Sequence, residues 1–177
     1  MDRYADAGYA VFPGLVPPDL LRRLIEVTDR LLAGAAALDA DDAVLELDDG
    51  HSRARPRVRR IKKPHRHDPA YREAAACDAI LDLVAGLIGP DIRLNHSKVN
   101  TKDGTVGAAI EWHQDWAFAP HTNMDCCVAA VLLDDVGPDS GPMLVLPGSH
   151  RLGLMDHHQD GLFVGAVDVG GLDMAAA

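Results

Sequence analysis

The sequence predicts a mainly β protein with N-terminal helices. A helical first half (1–90) covers a sheet assembled by the second half (91–177) in one domain. Three observations lead there. Apolar residues at helical spacing are confined to 18–32 and 71–88. From residue 91 the pattern becomes alternating or continuous apolar runs of strand length, broken by Gly, Pro and Asp. The 177 residues, 47% hydrophobic, suffice for a single core.

In chain order, Gly8-Tyr9-Ala10-Val11-Phe12 reads as a strand closed by the turn Pro13-Gly14. Pro17-Pro18-Asp19 opens a helix with Leu21, Leu24, Ile25, Thr28, Leu31 and Leu32 on its apolar face and Gly34 near its end. Segment 39–50 is acidic and segment 53–66 carries eight Arg and Lys, a pairing typical of solvated loops and edges. Steering of an acidic substrate such as a CoA thioester is the alternative use of the basic block. His65 and His67 lie in a Pro-bounded turn and are read as structural. Asp68 is a candidate N-cap for a helix over 71–88, broken near Cys77-Asp78 and stopped by Gly89-Pro90.

The stretch 92–100 alternates, placing His96, Lys98 and Asn100 on one face after Ile92 and Leu94, as a pocket-lining strand would. A loop over 101–107 and a strand over 110–115 follow. The near-continuous apolar run 125–133 predicts a buried strand, and 143–146 and 162–167 are further candidates.

Composition narrows the partners. A net charge of −10 argues against nucleic acid or an anionic membrane as partner. No apolar run reaches 18 residues, so no transmembrane helix is expected. The first six residues show no basic, then apolar, signal pattern. Cys77, Cys126 and Cys127 make no disulfide framework and read as reduced thiols in a cytoplasmic protein, the vicinal pair packed in the core.

The chemistry concentrates in Trp112-His113-Gln114-Asp115-Trp116. On an extended segment His113 and Asp115 point to the same side, their Cα atoms roughly 7 Å apart. An imidazole nitrogen and a carboxylate oxygen then converge on one metal ion, and one more ligand would complete the 2-His-1-carboxylate triad of a non-haem Fe(II) oxygenase. A zinc hydrolase is the lesser alternative, since no H-E-x-x-H pattern accompanies the pair.

That stretch resembles the phytanoyl-CoA dioxygenase family. So do Leu132-Leu133-Asp134-Asp135 and the run from Ser140-Gly141-Pro142 to Pro147-Gly148-Ser149-His150. The resemblance extends from 8–12 to the 156–161 loop. It implies a double-stranded β-helix (jelly roll), Fe(II) and 2-oxoglutarate as cosubstrate, and hydroxylation of an aliphatic C–H of a small molecule or acyl thioester. It implies His113 and Asp115 as metal ligands, and His96, Lys98 and Asn100 beside 2-oxoglutarate. Lys98 would supply a cation and Asn100 an amide donor. In related halogenases a small residue replaces the carboxylate, so Asp115 favours hydroxylation.

Members of the family carry a distal His as third ligand and, further on, an Arg for 2-oxoglutarate. His150, Arg151, His157 and His158 come too early for those roles. The resemblance therefore implies a jelly roll incomplete after about five of about eight strands, a chain inactive and unstable by itself. A non-catalytic binding or assembly module is the alternative function. Neither the substrate nor the oligomeric state is legible.

Overall fold

The computed structural model describes residues 2–102 and 110–177. Its elements are α1 (Asp2–Ala7), α2 (Pro18–Ala33), β1 (Leu45–Leu47), β2 (Val58–Lys62), α3 (Pro69–Ala75), α4 (Asp78–Ile88), β3 (Lys98–Asn100), β4 (His158–Gln159) and β5 (Leu162–Phe163), with short 3-10 turns. They divide into two units, one of Pro13–Ala108 with Ala129–Pro142, the other of Met1–Phe12, Ala109–Val128 and Met143–Ala177.

In the first of these units the helices follow the sequence closely. Pro18 opens α2, where its missing N–H is not needed, and Asp19 lies at the positive end of the helix dipole. The buried stripe is Leu20, Leu24, Val27 and Thr28, with Leu31 packed alongside. This is the expected face rotated by about one position, Leu21 and Ile25 being half-buried instead. The Asp68 carboxylate caps α3 by accepting from the Ala70 N–H, and α4 begins after the predicted break at Cys77 and ends at Gly89. Ala70 and Tyr71 meet the α2 stripe. The Thr28 hydroxyl donates to Leu24 O, and the Tyr71 phenol, its pKa raised by burial, donates to Thr28 Oγ1, both at 2.7 Å.

The charged blocks are not the solvated loops that composition suggests. They contain β1 and β2, paired antiparallel with a bulge at Glu46/Leu47, and β3 joins β2 on its other side. One row, Leu45, Ile61 and Val99, faces the core with Ala35 and Val58. The other row carries Glu46, Arg60 and Asn100, in which Arg60 Nη1 meets Glu46 Oε2 at 3.3 Å and Arg60 Nε donates to Asn100 Oδ1 at 3.2 Å. β1 and β2 supply two apolar residues each and β3 one, and the register shift that pairs Leu47 with Val58 brings Val58 to the core face with Ile61 although the two are three apart. Segment 129–142 carries no ladder. Val131 and Leu133 nonetheless pack on the α2–α3 core while Leu132 points outward, which corrects the expectation of a strand buried on both faces. His65 Nδ1 lies 2.6 Å from Ser97 Oγ, and His67 donates to Lys62 O at 3.0 Å.

The second unit is assembled differently. The 8–12 run is not a strand; the chain instead begins in α1, whose C-terminal carbonyls are taken by the Pro-Gly-Ser-His turn. Gly148 N–H donates to Ala7 O at 2.8 Å, while Arg151 at 2.8 Å and His150 Nε2 at 3.1 Å both donate to Ala5 O. Gly8 (φ +82°) lets the His150 ring approach to where a Cβ would lie 2.4 Å from Nδ1. The 156–161 loop is a hairpin, β4 against β5, turned by Asp160-Gly161 at φ +51° and +78°, a type I′ geometry.

The strands expected over 110–115, 125–128 and 143–146 carry no ladder pairing among the described residues, and that over 162–167 is reduced to β5. Of the loop expected over 101–107, residues 103–107 lie outside the described residues. Cys126 is exposed and Cys127 half-buried, not core thiols; partial burial pushes the Cys127 thiol up. Among the described residues the structure shows helices with two small antiparallel sheets, in place of the single sheet expected from 91–177. No described helix is long and apolar enough to cross a membrane.

Candidate metal site

His113 and Asp115 belong to the second unit, Asp115 opening a 3-10 turn over Asp115–Phe118. Their side chains meet because the chain bends into that turn after an extended Gln114 (φ −111°, ψ +124°), not because they alternate along a paired strand. His113 Nε2 lies 3.5 Å from Asp115 Oδ1. Nδ1 of the same ring is 2.7 Å from Glu111 O, and a carbonyl can only accept, so Nδ1 carries the proton. In the neutral ring Nε2 is then a bare lone pair facing a carboxylate oxygen.

A protonated ring makes this contact an ion pair, and with a neutral ring a metal cation bridges the two donors. Two bonds of about 2.1 Å meeting at roughly 90–110° hold their donors about 3.0–3.4 Å apart, close to the observed gap. The Nδ1–H to carbonyl bond is also the arrangement that fixes the tautomer and aim of a metal-binding imidazole. The pair therefore fits two positions of an iron shell.

A third ligand is not brought to the pair. Among the described residues no group of three His, Cys, Asp or Glu is placed to hold a metal. His150 donates to Ala5 O. The His158 ring bonds Asp156 Oδ1 at 2.8 Å, and that bond, with the His158 backbone N–H, holds the Asp156 carboxyl below its ordinary range. His157, which sequence reasoning set aside, proves to be the buried centre of this region. Its Nε2 accepts from the Gln114 N–H at 2.9 Å and its Nδ1 donates to Met155 O at 2.9 Å. Only its position in a hairpin flank hinted at this.

The segment is tied down elsewhere too. Gln114 Nε2 donates to Gly153 O and Oε1 accepts from Met155 N, both at 2.8 Å, while Val167 N–H donates to Trp112 O at 2.9 Å. Phe118 stands edge-on to His113 (centroids 5.4 Å) and Phe163 (5.2 Å). Beside these lies a cleft of about 460 Å³ walled by Trp116, Pro120, Leu154, Met155 and Phe163, with Asp156 and His158 on its lining.

Gly165 permits this packing. At φ +67°, a Cβ there would sit 2.8 Å from Phe118 Cζ. Gly165→Ala is expected to cost about 1–2 kcal/mol from the left-handed backbone alone, plus displacement of Phe118. The checks are a denaturant midpoint and the ring-current shifts of the His113 protons. An unshifted midpoint would contradict the packing.

Lys98 and Asn100 flank the core residue Val99 on β3, so they share the outer face, as alternation requires. They stand across from Lys62 and Arg60. His96 precedes the ladder and is exposed, with Asn95 Nδ2 3.3 Å from its ring, so the sheet register does not align it with the other two. These three residues lie in the helical unit.

A family profile described as phytanoyl-CoA dioxygenase (PhyH) matches residues 4–163. A probable alpha-ketoglutarate-dependent hypophosphite dioxygenase of Stutzerimonas stutzeri is 32% identical over 154 residues, 87% of this chain and 54% of that protein. An ectoine dioxygenase of Sphingopyxis alaskensis is 32% identical over 81% of this chain and 46% of its own length. An L-proline trans-4-hydroxylase of Streptomyces griseoviridis is 32% identical over 87% and 55%. The chain thus spans about half the length of these curated relatives. No solved structure matches it. With the profile covering residues 4–163 and the Trp-His-Gln-Asp-Trp stretch inside that span, the chain belongs to the phytanoyl-CoA dioxygenase family.

Proposed function

We propose that this chain carries the metal-holding part of an Fe(II)- and 2-oxoglutarate-dependent dioxygenase that hydroxylates an aliphatic C–H of a small molecule or acyl thioester. The observation that carries the reading is His113 Nε2 facing Asp115 Oδ1 at 3.5 Å, with Nδ1 held from behind by Glu111 O. The names of the hypophosphite, ectoine and proline relatives support the reaction class. Fe(II), when bound with 2-oxoglutarate and O₂, supplies the oxidising power, and CO₂ and succinate leave.

The residues of this chain hold and orient. His113 offers a nitrogen donor and Asp115 a negative oxygen, which cancels part of the ion's charge. The walls of the neighbouring cleft, Trp116, Leu154 and Phe163, present apolar surface to a substrate. Lys98 and Asn100, on a sheet face that also carries Lys62 and Arg60, offer cationic and amide donors suited to the carboxylates of 2-oxoglutarate. His96 joins them in this reading as an exposed imidazole just ahead of the strand. The jelly roll is the architecture we propose, and the cytoplasm the location.

A non-catalytic binding or assembly module is the second reading. It is favoured by the engagement of His150, His157 and His158 in other hydrogen bonds. Anaerobic loading with Fe(II), then oxygenation with 2-oxoglutarate and a panel of cyclic amino acids and acyl thioesters, separates the two. Iron-dependent succinate formation is the expected result for the enzyme. One iron bound per chain without succinate supports the module, and no iron bound removes the metal reading.

A further inference from the structure

We infer that His157 is a positioning residue for the metal pair: its imidazole holds the peptide between His113 and Asp115 and so sets the distance between their donors. The inference rests on the metal reading above and adds a residue to it.

The ring is 2% exposed, the one buried side chain among the described residues of its unit. An imidazole in such a place is expensive unless both nitrogens are partnered, and here both are. Met155 O, a carbonyl, takes the Nδ1 proton at 2.9 Å, which leaves Nε2 as an acceptor for the Gln114 N–H at 2.9 Å. The backbone of the same residue is also engaged, since His157 O accepts from Val164 N–H at 2.9 Å and Gly165 N–H at 3.3 Å. His157 therefore ties Gln114, Met155 and the β5 exit to one point.

The Gln114 N–H belongs to the peptide that leaves His113. Holding it fixes ψ of His113 and φ of Gln114, the torsions that aim the two side chains at one another. A second line of contact runs through Phe118, whose ring stands edge-on to His157 at 6.3 Å and to His113 at 5.4 Å. An aliphatic residue at 157 would fill the space but leave the Gln114 N–H without its partner. The chemistry of the ring, more than its bulk, is what the position uses.

Two near-isosteres separate the halves of that chemistry. In His157→Gln the amide oxygen replaces Nε2 and can still accept from Gln114. In His157→Asn the amide nitrogen replaces Nδ1 and can still donate to Met155, while the Gln114 bond is lost. Co(II), a spectroscopic stand-in for Fe(II), is titrated into the full chain of wild type, both variants and Asp115→Ala. Exchange of the Gln114 amide proton is followed by NMR in the first three.

The expected result is a 10- to 100-fold weaker Co(II) affinity for His157→Asn, the loss typical of an outer partner of a metal ligand, with faster exchange at Gln114. His157→Gln should stay within about threefold of wild type. Equal losses in both variants, or equal retention, would overturn the positioning role and leave the metal reading intact. If His157→Asn does not fold, the Gln variant decides: near wild-type affinity supports the inference and a tenfold loss overturns it. Should wild type bind Co(II) no better than Asp115→Ala, the metal reading fails and the inference falls with it.

Discussion

Replacing Asp115 with alanine is expected to abolish metal binding while leaving the fold in place. The carboxylate is the only anion the pair offers, and without it an ion meets a single neutral imidazole. The loss should exceed the roughly 10–100-fold that removal of an outer-shell partner costs, and iron-dependent succinate formation should fall to the uncatalysed background. Stability should change little. The Asp115 side chain is 51% exposed, and surface replacements of that kind stay within about 0.5 kcal/mol. Iron per chain, measured by dialysis under argon, and the urea midpoint test the two halves together. Wild-type iron content in the variant would mean that Asp115 is not a ligand. Asp115→Asn, which keeps the shape but removes the charge, should fail nearly as badly, because the anion matters more than the oxygen.

The helical unit was the legible part of the sequence, and its legibility has a local origin. Pro18, Asp68 and Gly89 act on their own turns through φ restriction, a capping carboxylate and positive φ, and each does so whatever the rest of the chain does. The strands β1 and β2 were hidden for the opposite reason. Six acidic residues over 39–50 and eight basic ones over 53–66 dominate the composition, and Val58 and Ile61, three apart, break the period-two alternation that would mark a strand. Helix α1 was hidden behind the apolar 8–12 run, which resembles an entry strand. Its closure by Ala5 and Ala7 carbonyls depends on residues 148–151, far along the chain.

At the site, the spacing of His113 and Asp115 was readable but its mechanism was not. Alternation on a strand and a bend into a 3-10 turn both bring an i, i+2 pair together, and sequence does not distinguish them. His157 carries no motif signal, because this ring works by accepting from a backbone N–H. The apolar runs 125–133 and 143–146 show the remaining limit. Their composition speaks for strands, but a strand exists only when a neighbour supplies the other half of the ladder.

Amide exchange is expected to divide the chain sharply. Every buried apolar side chain among the described residues, from Leu20 to Ile80, lies in the unit built on α2, α3 and the β1–β2–β3 sheet. In the other unit Met124, Val128, Met143 and Leu144 are each more than half exposed, and Ile110, Leu154 and Leu162 likewise. If a few hundred Å² of such surface stays in water, roughly 5–10 kcal/mol of burial energy is forgone at about 25 cal/mol per Å². That is comparable to the whole stability of an ordinary domain. Amides of α2 and β2 should therefore exchange only through global opening. Those of 124–128 and 143–146, with almost no ladder to break, should exchange on the order of 10³-fold faster. The same open apolar runs should bind a hydrophobic dye and drive self-association as concentration rises. Gln114 is the expected exception in its unit, its N–H being held by a buried ring. Hydrogen exchange read by mass spectrometry, with sizing over a range of concentrations, tests this directly. Uniform protection across both units and a monodisperse monomer without dye binding would show that the 124–128 and 143–146 runs are covered in solution. Saturating Co(II) should raise protection around 112–118 and 153–167 by mass action and leave α2 unchanged, the outcome expected of an ion held by His113 and Asp115.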